Sequence, residues 1–340
     1  MLKILKLKAT SIFLKFLGVR DVEEKLISII RDTEKASNKI VNARNPYFNH
    51  KVTNEISDRD DIVFVTSRFR SGSTLLWNLF RQTELCTSYY EPFNERRWFN
   101  PNFRGENVDQ THRGVDDYWS EYNEMEDLEK LYDEDWIKHR LLMDESSVDI
   151  NMKSYIEQLV TRAPKRPILQ FNRIDFRLPW VKQHFPNAKI LHLYRHPRDQ
   201  WLSFLTDEKK MNKDQIEKTY SDAFYLDLWC EDLYKHFPVL DKKITPHPYQ
   251  RFYYIWKLSY LYGKKYADIS ISFEDLTTDT NNAIKEIMNT VNLENVPIKE
   301  LCDIISPPKH NRWKTYADEQ WFIEHENKCE QNLNLMFTHK

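Results

Sequence analysis

The chain has 340 residues, 41% hydrophobic and 30% charged, with a formal net charge of −2. That length supports one large core with insertions, and the charge balance argues against nucleic-acid binding by a broad basic surface. Aromatics are abundant, with 10 Trp, 18 Tyr and 19 Phe, whereas glycines number only 5. The four cysteines, Cys86, Cys230, Cys302 and Cys329, have neither C-x-x-C spacing nor His partners in metal register. They read as reduced, partly buried thiols of a cytoplasmic protein, so neither a metal site nor a disulfide framework is expected.

The N-terminal stretch MLKILKLKATSIFLKFLG is basic and apolar. Lys15 interrupts the run, which is too short to span a bilayer and is followed by no small-residue cleavage site. On a helical wheel Leu2, Leu5, Ile12, Phe13, Phe16 and Leu17 share a face, while Ile4 and Leu7 fall outside it. Two readings stay open: peripheral membrane contact through residues 1–18, and a helix packed on its own domain. A polar helical stretch follows, so residues 1–60 read as an N-terminal helical extension ahead of a domain over 61–340.

From Asp61 to Phe80, DIVFVTSRFRSGSTLLWNLF, an apolar β-branched run ends in Ser67-Arg68-Phe69-Arg70-Ser71-Gly72-Ser73-Thr74 and then turns helical. A strand feeding such a turn aims backbone N–H groups, hydroxyls and a helix N-terminus at an anion. The nucleotide-triphosphate loop G-x-x-x-x-G-K-[ST] is the nearest general template. Ser67 stands where its first Gly belongs and Ser73 where its Lys belongs, which disfavours a Mg-nucleotide kinase. Arg70-Ser71-Gly72-Ser73-Thr74 resembles instead the 5′-phosphosulfate loop of sulfotransferases, a basic residue followed by S-G-[ST]-T. Those enzymes take a sulfuryl group from 3′-phosphoadenosine 5′-phosphosulfate (PAPS), so the resemblance implies PAPS as co-substrate.

Next along the chain is Tyr89-Tyr90-Glu91-Pro92-Phe93-Asn94. Tyrosylprotein and several carbohydrate sulfotransferases place a catalytic Glu in a comparable position. The resemblance therefore makes Glu91 the candidate base, with a carboxylate beside a turn before Pro92 as the alternative. Residues 94–165 are acidic and aromatic at their centre, with helical rather than strand periodicity. They read as a helical insertion that covers an acceptor pocket, or as solvated helical faces.

Pro167 to Phe171 then reads as a short strand, Phe176 to Phe185 as a helix and Lys189 to Tyr194 as a parallel strand. In Ala188 to Phe204, AKILHLYRHPRDQWLSF, the strand ends in Arg195, Pro197 suits a first helical turn, and Ser203 follows Arg195 by eight residues. Sulfotransferases bind the donor's 3′-phosphate with an Arg and a Ser at this interval, which implies Arg195 and Ser203 for that contact. Some relatives carry a Lys at the end of the preceding strand. Here Gln170 stands in that run, with Arg173 or Arg177 as substitutes, or else as surface partners of Asp175. His192 alternates with apolar strand residues and reads as a core histidine.

Further on, Ile269 to Leu293 resembles the family's strand, E-D-L and helix. Glu274-Asp275 there is accounted for by the macrodipole of a first turn. Pro307-Pro308-Lys309-His310-Asn311-Arg312-Trp313-Lys314 is similar to the family's late basic segment, with Arg312 the candidate phosphate contact and Lys309 and Lys314 its competitors.

Strands alternating with helices predict an α/β fold of three layers, P-loop-like, with a central parallel sheet and a helical C-terminal part. The resemblance implies sulfuryl transfer to a hydroxyl of a carbohydrate or glycolipid, or alternatively to a small-molecule alcohol or amine. Arg70 takes a cationic role in that chemistry. A P-loop kinase and a non-catalytic nucleotide-binding protein are the readings from other classes.

Overall fold

The computed structural model describes residues 59–105, 108–109, 112, 114–306 and 311–338. Residues 1–58, on which the expected helical extension and the reading of peripheral membrane contact fall, lie outside the described residues, as do Lys309 and the two prolines before it. Five strands form one sheet: β1 (Val63–Ser67), β2 (Cys86–Tyr90), β3 (Arg166–Phe171), β4 (Lys189–Tyr194) and β5 (Ile269–Ser272). Their order is β2-β3-β1-β4-β5, and every neighbouring pair is parallel. In the centre Val65 stands opposite both Gln170 and Leu191.

The sheet is covered on both faces, which explains why β1, VFVTS, reads as a largely apolar run rather than as alternation. Val63 and Val65 join a cluster with Leu76, Leu79 and Phe80 of α1 (Ser73–Gln82) and with residues from the C-terminal side of β5. Phe64 points the other way, its ring 5.3 Å from that of Phe185 and 6.1 Å from that of Phe171. The expected three-layer architecture is therefore present. Helices α2 (Ile150–Arg162), α3 (Leu178–His184), α4 (Pro197–Phe204), α5 (Leu226–Leu233) and α6 (Pro248–Tyr266) follow in order. After β5 come α7 (Phe273–Thr278), α8 (Thr280–Thr290), α9 (Ile298–Ile304) and α10 (Glu319–Thr338).

Helix α6 passes so close to β4 that a Cβ at Gly263 would fall 2.3 Å from the His192 ring. His192 is buried, bonds Ser270 Oγ at 2.6 Å through Nδ1, and has its pKa pulled down to about 4 by burial. It is a core residue, as its strand alternation suggested. Helix α10 docks on α6 through Tyr249 and Tyr253, whose hydroxyls donate to Glu326 and Glu330 at 2.6 and 2.7 Å. Among the described residues no helix is long and apolar enough to cross a membrane.

Residues 94–165 depart from the helical expectation. Apart from α2, the helical elements among the described residues there are 3-10 turns at Ser120–Tyr122 and Glu126–Lys130 and a four-residue helix at Asp135–Lys138. Some of the acidic residues serve as turn acceptors, while others, such as Asp127 and Glu129, pair with Arg162 and Arg97. Asp117 accepts from the N–H groups of Trp119 and Ser120, and Asp144 from that of Ser146. Short carboxylates that bond nearby backbone compete with helix formation in this way. The aromatics supply the packing instead: Phe93, Phe99, Tyr122, Trp136 and Tyr155 sit in one buried cluster with β2 and β3 residues.

Candidate active site

The cleft lies at the carboxyl ends of the strands, where ligands bind in open α/β sheets. The chain leaving each strand contributes to it. Beyond β1 come Phe69 and Arg70, beyond β2 Glu91, beyond β3 Asn172 and Arg173, beyond β4 Arg195, and beyond β5 Phe273, and all of these line one cavity of about 900 Å³. Gly72, Ser73, Thr74, Ser203 and Arg312 line it as well. Residues up to 243 positions apart in sequence, from Phe69 to Arg312, thus share one space.

At the loop after β1, Gly72 caps α1 at φ 93 and, having no side chain, gives the first turn no side-chain cap. An added Cβ there would lie 2.3 Å from the Phe273 ring, so the loop both needs the left-handed conformation and has no room for a side chain. Arg70 is also left-handed at φ 65. Its Nε donates to Ser203 O and Oγ at 3.0 and 3.1 Å, and its carbonyl accepts from Arg195 Nη1 at 3.2 Å. The two motifs are joined through this residue. The side chain of Ser71 turns away: it is buried and its Oγ donates to Arg68 O at 2.7 Å, so it supports the turn rather than lining the cleft. Thr74 Oγ1 bonds Tyr90 OH at 2.9 Å.

Arg195 stacks over the Phe273 ring, 5.0 Å from its centroid, and burial lowers its pKa. Its buried Nε has no partner among the described residues. A buried guanidinium N–H without an acceptor is costly, and an anion entering the cleft would satisfy it. Arg312 is more exposed and donates to Glu208 Oε1 at 2.7 Å. Asp199 accepts from the backbone N–H groups of Asn311 and Trp313, which fixes this late segment beside α4. Lys314 lies over the Trp313 ring and does not line the cleft.

Glu91 is buried and, at φ 38, occupies a conformation that a non-glycine residue rarely adopts. Three tyrosine hydroxyls hold the backbone around it: Tyr122 donates to Tyr90 O at 3.0 Å, Tyr155 to Pro92 O at 2.9 Å and Tyr132 to Asn94 O at 2.9 Å. The carboxylate accepts from Asn172 Nδ2 at Oε1, and from Asn94 Nδ2 at 2.7 Å and Arg173 Nη1 at 3.0 Å at Oε2. Burial raises its pKa above the ordinary carboxylate range, with the Arg173 charge pulling the other way. Arg173 also bonds Glu95 at 3.1 Å and lies over the rings of Phe69 and Tyr225.

Several of these residues were not singled out in the sequence. Asn172 follows the end of β3, and the rule that strand ends carry the site would have pointed to it. Phe224 and Tyr225 come from an irregular stretch and have no comparable signal. Of the two arginines offered as substitutes for Gln170, Arg173 reaches the cleft. Arg177 does not: its guanidinium is fully buried and donates to the carbonyls of Arg140, Arg173, Trp136 and His139. Asp175 pairs with Arg68 at 2.9 Å rather than with either. Glu274 accepts from the His196 backbone N–H at 3.1 Å, and Asp275 forms a reciprocal cap with Ser272, so both are architectural.

The family model described as Sulfotransferase family matches residues 62–297, well over half of the 340-residue chain. The chain belongs to the sulfotransferase family and is an enzyme of that class. It is similar to mouse sulfotransferase SULT7A1 complexed with PAP, with 15% identity, 83% of this chain and 89% of that one covered, and a TM-score of 0.37. It is also similar to the sulfotransferase domain from the curacin biosynthetic pathway, at 16% identity, 80% and 97% coverage and a TM-score of 0.41. A third similar structure is retinol dehydratase in complex with androsterone and the inactive cofactor PAP, at 16%, 82% and 82%, and 0.37. No curated protein matches the chain.

Proposed function

We propose that this sulfotransferase uses PAPS and delivers its sulfuryl group to a hydroxyl of a carbohydrate or glycolipid. One observation carries the reading. Arg195, with a buried N–H lacking an acceptor, and Glu91, a buried carboxylate, line the same cleft as the open N-terminus of α1. The first-turn N–H groups suit the 5′-phosphosulfate, and Arg195 with Ser203 suits the 3′-phosphate. Arg312, at the rim, adds a further cation.

In the transfer, the bond from sulfur to the bridging phosphate oxygen breaks and one to the acceptor oxygen forms. Adenosine 3′,5′-bisphosphate leaves, and the acceptor proton passes to Glu91. A loose in-line transfer of this kind depends on positioning and on charge stabilisation. Arg70 offers a permanent positive charge to the departing phosphate. Glu91 is the base, and its raised pKa brings it nearer to the operating pH.

For the acceptor, the support is the Glu91 context together with Asn94 and Glu95 on the cleft wall, since amides and carboxylates are suited to bonding sugar hydroxyls. The aromatic wall of Phe69, Phe224 and Tyr225 favours a second reading, a small-molecule alcohol or amine. A screen with ³⁵S-labelled PAPS tests both: label on glycans or glycolipids is the expected result, and label confined to small alcohols or amines overturns the first choice.

A further inference from the structure

Four buried polar side chains connect the start of the phosphate loop to Glu91. Ser67 Oγ donates to Asn172 Oδ1 at 3.2 Å, Gln170 Nε2 donates to the same oxygen at 3.0 Å, and Asn172 Nδ2 donates to Glu91 Oε1. Ser67, Gln170, Asn172 and Glu91 are each less than 5% exposed. Chemistry fixes the direction of the chain of bonds. An ionised carboxylate only accepts, so the Asn172 amide must turn its NH₂ toward Glu91, and its carbonyl then faces Ser67 and Gln170, both able to donate.

We propose that Asn172 is the positioning residue for Glu91, holding its carboxylate ionised and oriented and coupling it to Ser67 at the end of β1. The inference rests on Glu91 being the base. Asn172 takes one of the two lone-pair sites of Oε1, leaving the other for the acceptor's proton. Were Glu91 to take up a proton early, Asn172 could not accept it without reversing its amide and setting its NH₂ against two donors. The buried network therefore opposes protonation, although burial alone favours it. The other groups facing Glu91 are Asn94, a neutral donor at Oε2, Arg173, which stabilises the anion, Glu95, which opposes it, and the hydroxyls of Tyr90, Tyr118 and Tyr122.

An acceptor-independent test is available. In an infrared pH titration of the full chain, the protonated-carboxyl band lost in Glu91→Gln reports Glu91 directly. Asn172→Ala should move its midpoint to higher pH. Asn172→Asp, which keeps the shape, should give two coupled carboxyl bands in place of one, because two carboxylates in contact cannot both ionise freely. Binding of adenosine 3′,5′-bisphosphate should stay within about threefold of wild type in both variants, a limit small beside the tenfold or more lost with a charged hydrogen bond. An unmoved midpoint in Asn172→Ala, a single unchanged band in Asn172→Asp, or loss of nucleotide binding in both overturns the proposal. Failure of the base reading shows separately, as turnover that survives Glu91→Gln with an acceptor found in the labelled-PAPS screen.

Discussion

The two sides of the cleft, proposed to take donor and acceptor, are built by different means. On the donor side Arg70, Arg195 and Phe273 follow the ends of strands whose backbone is fixed by ladder hydrogen bonds to neighbours on one or both sides. The chain that walls the other side, over 94–165, holds its course with Asx turns and aromatic contacts, and with tyrosine hydroxyls bonded to carbonyls 90, 92 and 94. Ladder geometry admits little variation, because each group's position follows from register. Side-chain-supported loops admit a great deal, which suits a surface that must fit one acceptor among many. Glu91 belongs to both sides: β2 delivers it, and the insertion's tyrosines clamp it.

The comparison breaks first at Glu91. Glu91→Gln should lower kcat by about a hundredfold or more, the scale of general-base catalysis, while leaving adenosine 3′,5′-bisphosphate binding intact. The wild-type kcat should rise with pH through an acid limb lying above the ordinary carboxylate range, because burial raises the Glu91 pKa and only the ionised form accepts a proton. For stability the sign is opposite. The raised pKa means that the neutral acid favours the folded state, a contribution present below the unfolded carboxylate value and lost as pH rises through the folded one. A pH–rate profile with no limb attributable to Glu91 would move that residue to the structural side of the comparison.

Arg195→Ala comes next, and calorimetry should show the bisphosphate binding roughly ten- to a hundredfold more weakly, as expected for losing charge-assisted hydrogen bonds. Tyr155→Phe tests the clamp. It leaves the buried Pro92 carbonyl without its donor, and thermal or urea unfolding should register about 1–3 kcal/mol of lost stability. An unchanged unfolding midpoint would mean that the insertion does not hold the Glu91 turn. Arg312→Ala should have the smallest effect, no more than about fivefold on nucleotide affinity, since its side chain is solvent-exposed and already shared with Glu208.

The same contrast accounts for what could be read from the sequence. That the loop Arg70 to Thr74 and the pair Arg195 and Ser203 would share one cleft was legible because the loop and Arg195 each follow a strand end and Ser203 lies on the helix that comes next. The central strand β1 was legible because a strand covered on both faces becomes a largely apolar run. Over 94–165 the sequence did not separate helix-surface charges from turn acceptors such as Asp117, since the difference lies in backbone conformation. Ser71 was placed on the cleft by its motif, yet its hydroxyl bonds Arg68 O. Asn172 was hidden, and so was the carboxylate that Arg173 meets, because their partner Glu91 is over 80 residues away, and no local spacing records a contact between two strand ends.

The central claim is that the cleft is built for a 3′-phosphorylated adenosine donor, and the most direct measurement is calorimetry of adenosine 3′,5′-bisphosphate against adenosine 5′-phosphate. The account predicts that the bisphosphate binds at least about tenfold more tightly, the margin of one charge-assisted contact to Arg195. Equal affinity for the two nucleotides would contradict it.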